Sequence, residues 1–148
     1  MEGRFETFTV LISSINRCIK KIKAEEMAEY DLKSIHVSCL YYLHKNESLT
    51  AKKLCELCDE DKANISRSLE YLEERGYLTC DTKTQKRYNS PLNITEKGAR
   101  VADIISAKID RVLEEASIGL SEQSRKTMYE SLAMISENLQ NICEGYTD

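Results

Sequence analysis

Lys62, Ala63, Asn64, Ser66 and Arg67 bring together the side-chain types that read the edges of nucleic-acid bases. An arginine fork fits the two acceptors of guanine and an asparagine amide fits adenine, each such pair discriminating by about 1–3 kcal/mol. Ala63 suits a thymine methyl, and Lys62 and Ser66 suit phosphate as well as base. Upstream, Thr50, Lys52 and Lys53 could meet backbone phosphates. Downstream, Lys83, Lys86 and Arg87 lie in a polar stretch, with Arg87 the candidate for a minor groove. Nothing points to catalysis. There is no nucleophile elbow, glycine-rich phosphate loop or metal-ligand cluster, so no catalytic residue, metal or cofactor is expected.

The six cysteines offer a second candidate chemistry. Cys55 and Cys58 form a Cys-x-x-Cys pair, but no second pair or histidine partner completes four zinc ligands. Most of the cysteines fall where a helix carries a buried apolar residue, so they read as small core hydrophobes. Cys80, between a short strand and the basic stretch, is the thiol that stands apart.

The base-reading cluster needs a helix to hold it. Ile65, Leu69 and Leu72 recur at four and three residues, an apolar stripe that leaves the cluster on the opposite side. Asp61 can cap that helix at its start, and Gly76 suits the left-handed turn at its end. A preceding helix, AKKLCELC, is capped by Thr50, with Asp59-Glu60 as the break between the two. Tyr77 to Cys80 and Pro91 to Ile94 read as strands of a hairpin whose tip is the basic stretch. Thr95 then caps a helix to about residue 117, and Ser121 caps a last one. Residues 5–28 and 34–45 read as helices ahead of the central unit. The order is therefore mainly α with a small β-hairpin wing, a helix-turn-helix of the kind whose second helix enters the major groove.

The terminal helices carry long apolar stripes. Phe8, Ile12, Ile15, Ile19 and Ile22 form one; Met128, Leu132, Ile135, Leu139 and Ile142 form the other. A central unit spanning 34–98 cannot cover both, so 5–28 and 99–146 are expected to pair two chains. The 148 residues fit a single domain, and 41% hydrophobic with 31% charged side chains is ordinary globular composition. One Pro and five Gly favour long helices. No apolar run approaches a membrane span of about 20 residues, and the start MEGRFETF lacks a secretory pattern, so a cytoplasmic chain without membrane contact is expected. The net charge of −4 does not exclude nucleic acid, because the acidic residues crowd 22–31 and 110–148 while the basic ones fall between.

The segment LTAKKLCELCDEDKANISRSLEYLEERGYL, the basic Lys86-Arg87 and the following LNITEKG together resemble the MarR family of bacterial regulators. Two positions depart from the family pattern. Asp59 stands where the turn often has Gly, and Gln85-Lys86-Arg87 replaces an Asp-Arg-Arg-like cluster in the wing. The resemblance implies a winged helix-turn-helix flanked by dimerisation helices. It implies a homodimeric repressor of nearby genes on a palindromic operator in double-stranded DNA, tuned by a small-molecule effector or other signal. Arg17, His36 and Tyr41 are the effector-pocket candidates. The alternative is an antirepressor-like winged-helix module that binds a protein instead of DNA.

Overall fold

The computed structural model describes residues 3–80 and 90–146. A π-helical segment, Glu6–Leu11, runs into helix α1, Ile12–Glu26. A short 3-10 turn, Ala28–Tyr30, leads to α2, Ser34–Lys45, and α3, Ala51–Cys58. Then follow α4, Lys62–Glu74, strands β1, Leu78–Cys80, and β2, Leu92–Ile94, and helices α5, Glu96–Ala116, and α6, Glu122–Glu144. The fold is mainly helical with one small antiparallel hairpin, as expected, and Leu78 pairs with Ile94, Thr79 with Asn93 and Cys80 with Leu92. The chain divides into two compact units, Met1–Ile109 and Asp110–Asp148. No helix among the described residues is long and apolar enough to cross a membrane.

Local chemistry explains where the elements begin and end. Thr50 accepts the Lys53 N–H at 3.2 Å, Asp61 the Asn64 N–H at 2.7 Å, Thr95 the Gly98 N–H at 3.0 Å and Ser121 the Ser124 N–H at 3.1 Å. Each satisfies a donor that the first helical turn leaves without a partner. Asp59 takes the left-handed conformation after α3 with φ 51°, one of the few side chains that tolerate it. Gly76 does the same after α4 with φ 77°.

The core of the first unit gathers α2, α3, α4 and the hairpin. Leu40, Leu54, Ile65 and Leu72 are wholly buried, joined by Met27, Leu78 and Ile105. The hairpin is tied to the chain before α3 by the Leu92 N–H to the Leu49 carbonyl at 2.9 Å, and its strand pair is extended by the Thr95 N–H to the Tyr77 carbonyl at 3.1 Å. Gly98 marks the tightest approach. A Cβ there would lie 2.1 Å from the Tyr77 carbonyl oxygen, so the start of α5 can rest on the strand only without a side chain.

Two details differ from the sequence expectation. The helix expected over 5–28 ends at Glu26 and opens with the wider π-helical turn. Leu57, whose residue type would place it with Leu54 and Cys58 on the apolar side of α3, is exposed, because it lies at the edge of the face that Ala51, Leu54, Cys55 and Cys58 turn toward the core.

Candidate nucleic-acid interface

Helix α4 has two contrasting sides. Ile65, Ser68, Leu69 and Leu72 are buried against the core, and the Ser68 hydroxyl donates to the Asn64 carbonyl at 2.8 Å. Lys62, Ala63, Ser66 and Arg67 are exposed together on the outer side. Asn64 is placed differently. Its amide donates to the Glu60 carboxylate at 2.7 Å and is half-buried, so the base-reading cluster is brought together without it. Glu60 was not singled out from the sequence as a partner for Asn64. The signal was present: the two stand four residues apart across the Asp61 cap.

Lys52 and Lys53 are exposed near the start of α3, beside the half-buried Thr50. Lys53 is also bonded to Glu56 at 2.8 Å, and its ammonium holds that carboxyl below the usual carboxylate range. Thr50 spends one oxygen lone pair on the cap and keeps its own proton to donate. Lys83, Lys86 and Arg87 lie outside the described residues.

The far end of α4 is anchored by residues that no sequence motif flagged. Asp31, in a left-handed turn after Ala28–Tyr30, accepts from Arg75 at 3.0 Å and from the Tyr71 hydroxyl at both carboxylate and backbone carbonyl. The Arg75 guanidinium lies 4.2 Å from the Tyr71 ring centre, and His36 stacks on Tyr71 at 4.2 Å with planes 1° apart. Lys97 donates to the Arg75 carbonyl at 2.6 Å, and Thr95 to the Gly76 carbonyl at 2.6 Å. The start of α5 thus caps the end of α4, which gives the sequence Thr95-Glu96-Lys97-Gly98 its physical sense.

The effector candidates do not converge on one described cavity. Arg17 is exposed on α1. His36 is buried, and its Nδ1 accepts the Lys33 N–H at 3.0 Å, reaching back from the first turn of its own helix to the N-cap backbone. Burial, with Lys33 and Arg75 nearby, holds His36 below the usual histidine range, and Asp31 opposes this in part. Tyr41 lines a cavity of about 200 Å³ with Lys23, Val37, Ser38, Tyr42 and Ile109.

Residues 30–87 match the model of the MarR family. Over that stretch the chain is similar to the MarR family. The MarR likeness in structure extends further. A MarR transcriptional regulator from Methanosarcina mazei superposes with TM-score 0.83 at 20% identity, covering 93% of this chain and 92% of that one. A MarR-family regulator from Listeria monocytogenes, complexed with a 26mer DNA, gives TM-score 0.81 at 22% identity over 93% and 94% of the two chains. Staphylococcus aureus MarR, in complex with salicylate and kanamycin, gives 0.81 at 16% identity over 95% of each. No curated protein matches the chain. Among the described residues no group of His, Cys, Asp and Glu could hold a metal ion.

Proposed function

We propose that this chain is a sequence-specific DNA-binding transcriptional regulator that acts as a homodimer, with α4 as its reading helix. One observation carries the reading. Ile65, Leu69 and Leu72 lock α4 to the core and leave Lys62, Ala63, Ser66 and Arg67 exposed on its opposite side. Arg67 is the guanine reader, Ala63 the thymine-methyl contact, and Lys62 and Ser66 reach base or phosphate. Thr50, Lys52 and Lys53 hold the backbone, while Lys83, Lys86 and Arg87 extend the contact along the wing. Asn64 reads adenine only if DNA draws its amide away from Glu60, so its contribution is smaller than Arg67's.

Homodimerisation is supported by exposed apolar side chains on both terminal helices. Leu11 and Ile15 on the first, and Leu132, Leu139 and Ile142 on α6, are each between 45% and 55% exposed in the single chain. A second copy covering these stripes would place two reading helices about 34–36 Å apart on a palindromic operator. The regulator acts as a repressor of nearby genes, and a small molecule tunes it. The salicylate complex of the Staphylococcus protein and the cavity beside Tyr41 support an effector. His36 is committed to its own helix and Arg17 to solvent, so Tyr41 is the retained pocket residue.

The test is a fluorescence anisotropy titration of the chain with the DNA upstream of its own gene across a range of salt. Binding is expected to weaken linearly on logarithmic axes, because phosphate contacts release counterions. Absence of binding at low salt, together with a stable complex with another protein in pull-down, would replace this reading with the antirepressor-like one.

A further inference from the structure

Asn16, Lys20 and Lys23 recur at four and three residues, so α1 turns them to one side. Ser34 and Ser38 are paired in the same way on α2, and the two sets line one cavity of about 470 Å³ with Lys33, Tyr42 and the turn after α3. Lys23 is the half-buried lysine of the three, while Lys20 and Lys33 are exposed. Its ammonium donates to the Ser38 hydroxyl at 3.0 Å, and that hydroxyl donates in turn to the Ser34 carbonyl at 3.2 Å. Asp59 and Glu60 also line the cavity, and Glu60 is bonded to the Asn64 amide at 2.7 Å. Among the described residues no carboxylate lies within ion-pair distance of Lys23.

A half-buried amine with a neutral partner loses hydration without gaining a counter-charge, and the free base is favoured. Burial holds Lys23 below the ordinary lysine range; Cys58 opposes this and Lys20 adds to it. A desolvated lysine beside another cation is the form in which an amine attacks a carbonyl carbon. The exposed Lys20 and Lys33 open on the same cavity and suit a carboxylate. A ligand that carries both a carbonyl and a carboxylate uses both features.

We propose that Lys23 is a reactive-amine site for a small 2-oxo acid, which it holds as an imine while Lys20 and Lys33 hold the carboxylate. The free Lys23 amine attacks the carbonyl carbon. A carbon–nitrogen bond forms, the carbonyl π pair moves to oxygen, and the oxygen gains a proton as the nitrogen loses one. The hydroxyl of this carbinolamine takes a second proton from solvent and departs as water, leaving an iminium. The iminium nitrogen returns a proton to solvent and the neutral imine remains. Water is the only product released, and no oxidant or reductant takes part. This chemistry goes beyond the DNA-binding reading and is tested without DNA, so the failure of either leaves the other standing.

The test incubates the full-length chain with glyoxylate and sodium cyanoborohydride, which reduces an imine to a stable secondary amine, and maps the labelled lysines by mass spectrometry. Lys23 is expected to be labelled severalfold faster than the exposed Lys126. Acetaldehyde, which lacks the carboxylate, should give a smaller ratio of Lys23 to Lys126 labelling. Lys23→Arg should lose the label at that position and keep it at Lys126. Lys20→Met should bring the glyoxylate ratio down toward the acetaldehyde ratio. The unsubstituted chain supplies a check that no variant's folding can disturb: labelling of Lys23 should set in at lower pH than that of Lys126. The groups that face Lys23 are Lys20 and Glu26 on α1, Lys33, Tyr41 and Tyr42 from α2 and the turn before it, Cys58, Asp59 and Glu60 at the end of α3, and Lys108 from α5. Equal labelling of Lys23 and Lys126, or protection of Lys23 from acetaldehyde by glyoxylate with no glyoxylate adduct, would overturn the imine. Equal ratios with the two aldehydes would overturn the carboxylate contact and with it the assignment of a 2-oxo acid.

Discussion

Helices α4 and α6 carry the same kind of apolar repeat and treat it in opposite ways. In α4, Ile65 and Leu72 are 0% exposed. In α6, Leu132 is 45% and Ile142 55% exposed, and no residue of the helix is buried. Periodicity states that a helix has an apolar face; it does not state what covers that face. For α4 the cover is the chain's own core, and rigid burial frees the opposite side for contact. For α6 the single chain leaves the face to solvent, the condition under which a second copy gains most by docking.

The sharpest way to break this comparison is to put a charge into the exposed stripe. Leu132→Asp is expected to leave the far-ultraviolet dichroism unchanged but to dissociate the dimer in sedimentation velocity. Operator affinity should then fall toward its non-specific level, about a thousandfold or more. If the variant stays dimeric, the stripe is not the interface. The counterpart in α4 is Leu72→Ala, which should cost about 2–5 kcal/mol in urea unfolding because its site is fully packed. A loss below about 1 kcal/mol would mean that α4 is not held as tightly as its burial suggests.

Next in size are two changes that separate reading from folding. Arg67→Ala should weaken operator binding by about 1–3 kcal/mol and relax specificity at one base pair without changing stability. Equal loss on operator and random DNA would make Arg67 a phosphate contact instead. Gly98→Ala should do the reverse. The added methyl meets the Tyr77 carbonyl, so stability falls by about 1–3 kcal/mol. DNA affinity, measured well below the melting temperature, should be nearly unchanged.

The smallest effect concerns pH. Burial holds His36 below the usual histidine range, so the unfolded chain binds its proton at a higher pH than the folded chain does. The stability it contributes is therefore complete above about pH 6.5 and fades as pH falls through its lowered folded value. Urea midpoints at pH 7.5 and 5.5 should differ more for the unsubstituted chain than for His36→Gln. Equal differences would remove His36 from the account.

Much of this arrangement was readable in the sequence because it is local. The caps at Thr50, Asp61, Thr95 and Ser121, and the left-handed Asp59 and Gly76, each depend on residues within a few positions. The exposed set on α4 followed from the spacing of Ile65, Leu69 and Leu72. What escaped the sequence is non-local or depends on which of two partners a side chain chooses. Asp31 reaches Tyr71 and Arg75 some 40 residues away. Asn64 could face a groove or Glu60, and residue type alone does not decide between them.

The proposed dimer sets two copies of α4 on one operator. Hydroxyl-radical footprinting of the chain on its own upstream DNA tests it most directly. Two protected patches related by two-fold symmetry are expected, with centres about one helical turn apart, ~34–36 Å. A single asymmetric patch, or no protection at low salt by folded protein, would contradict it.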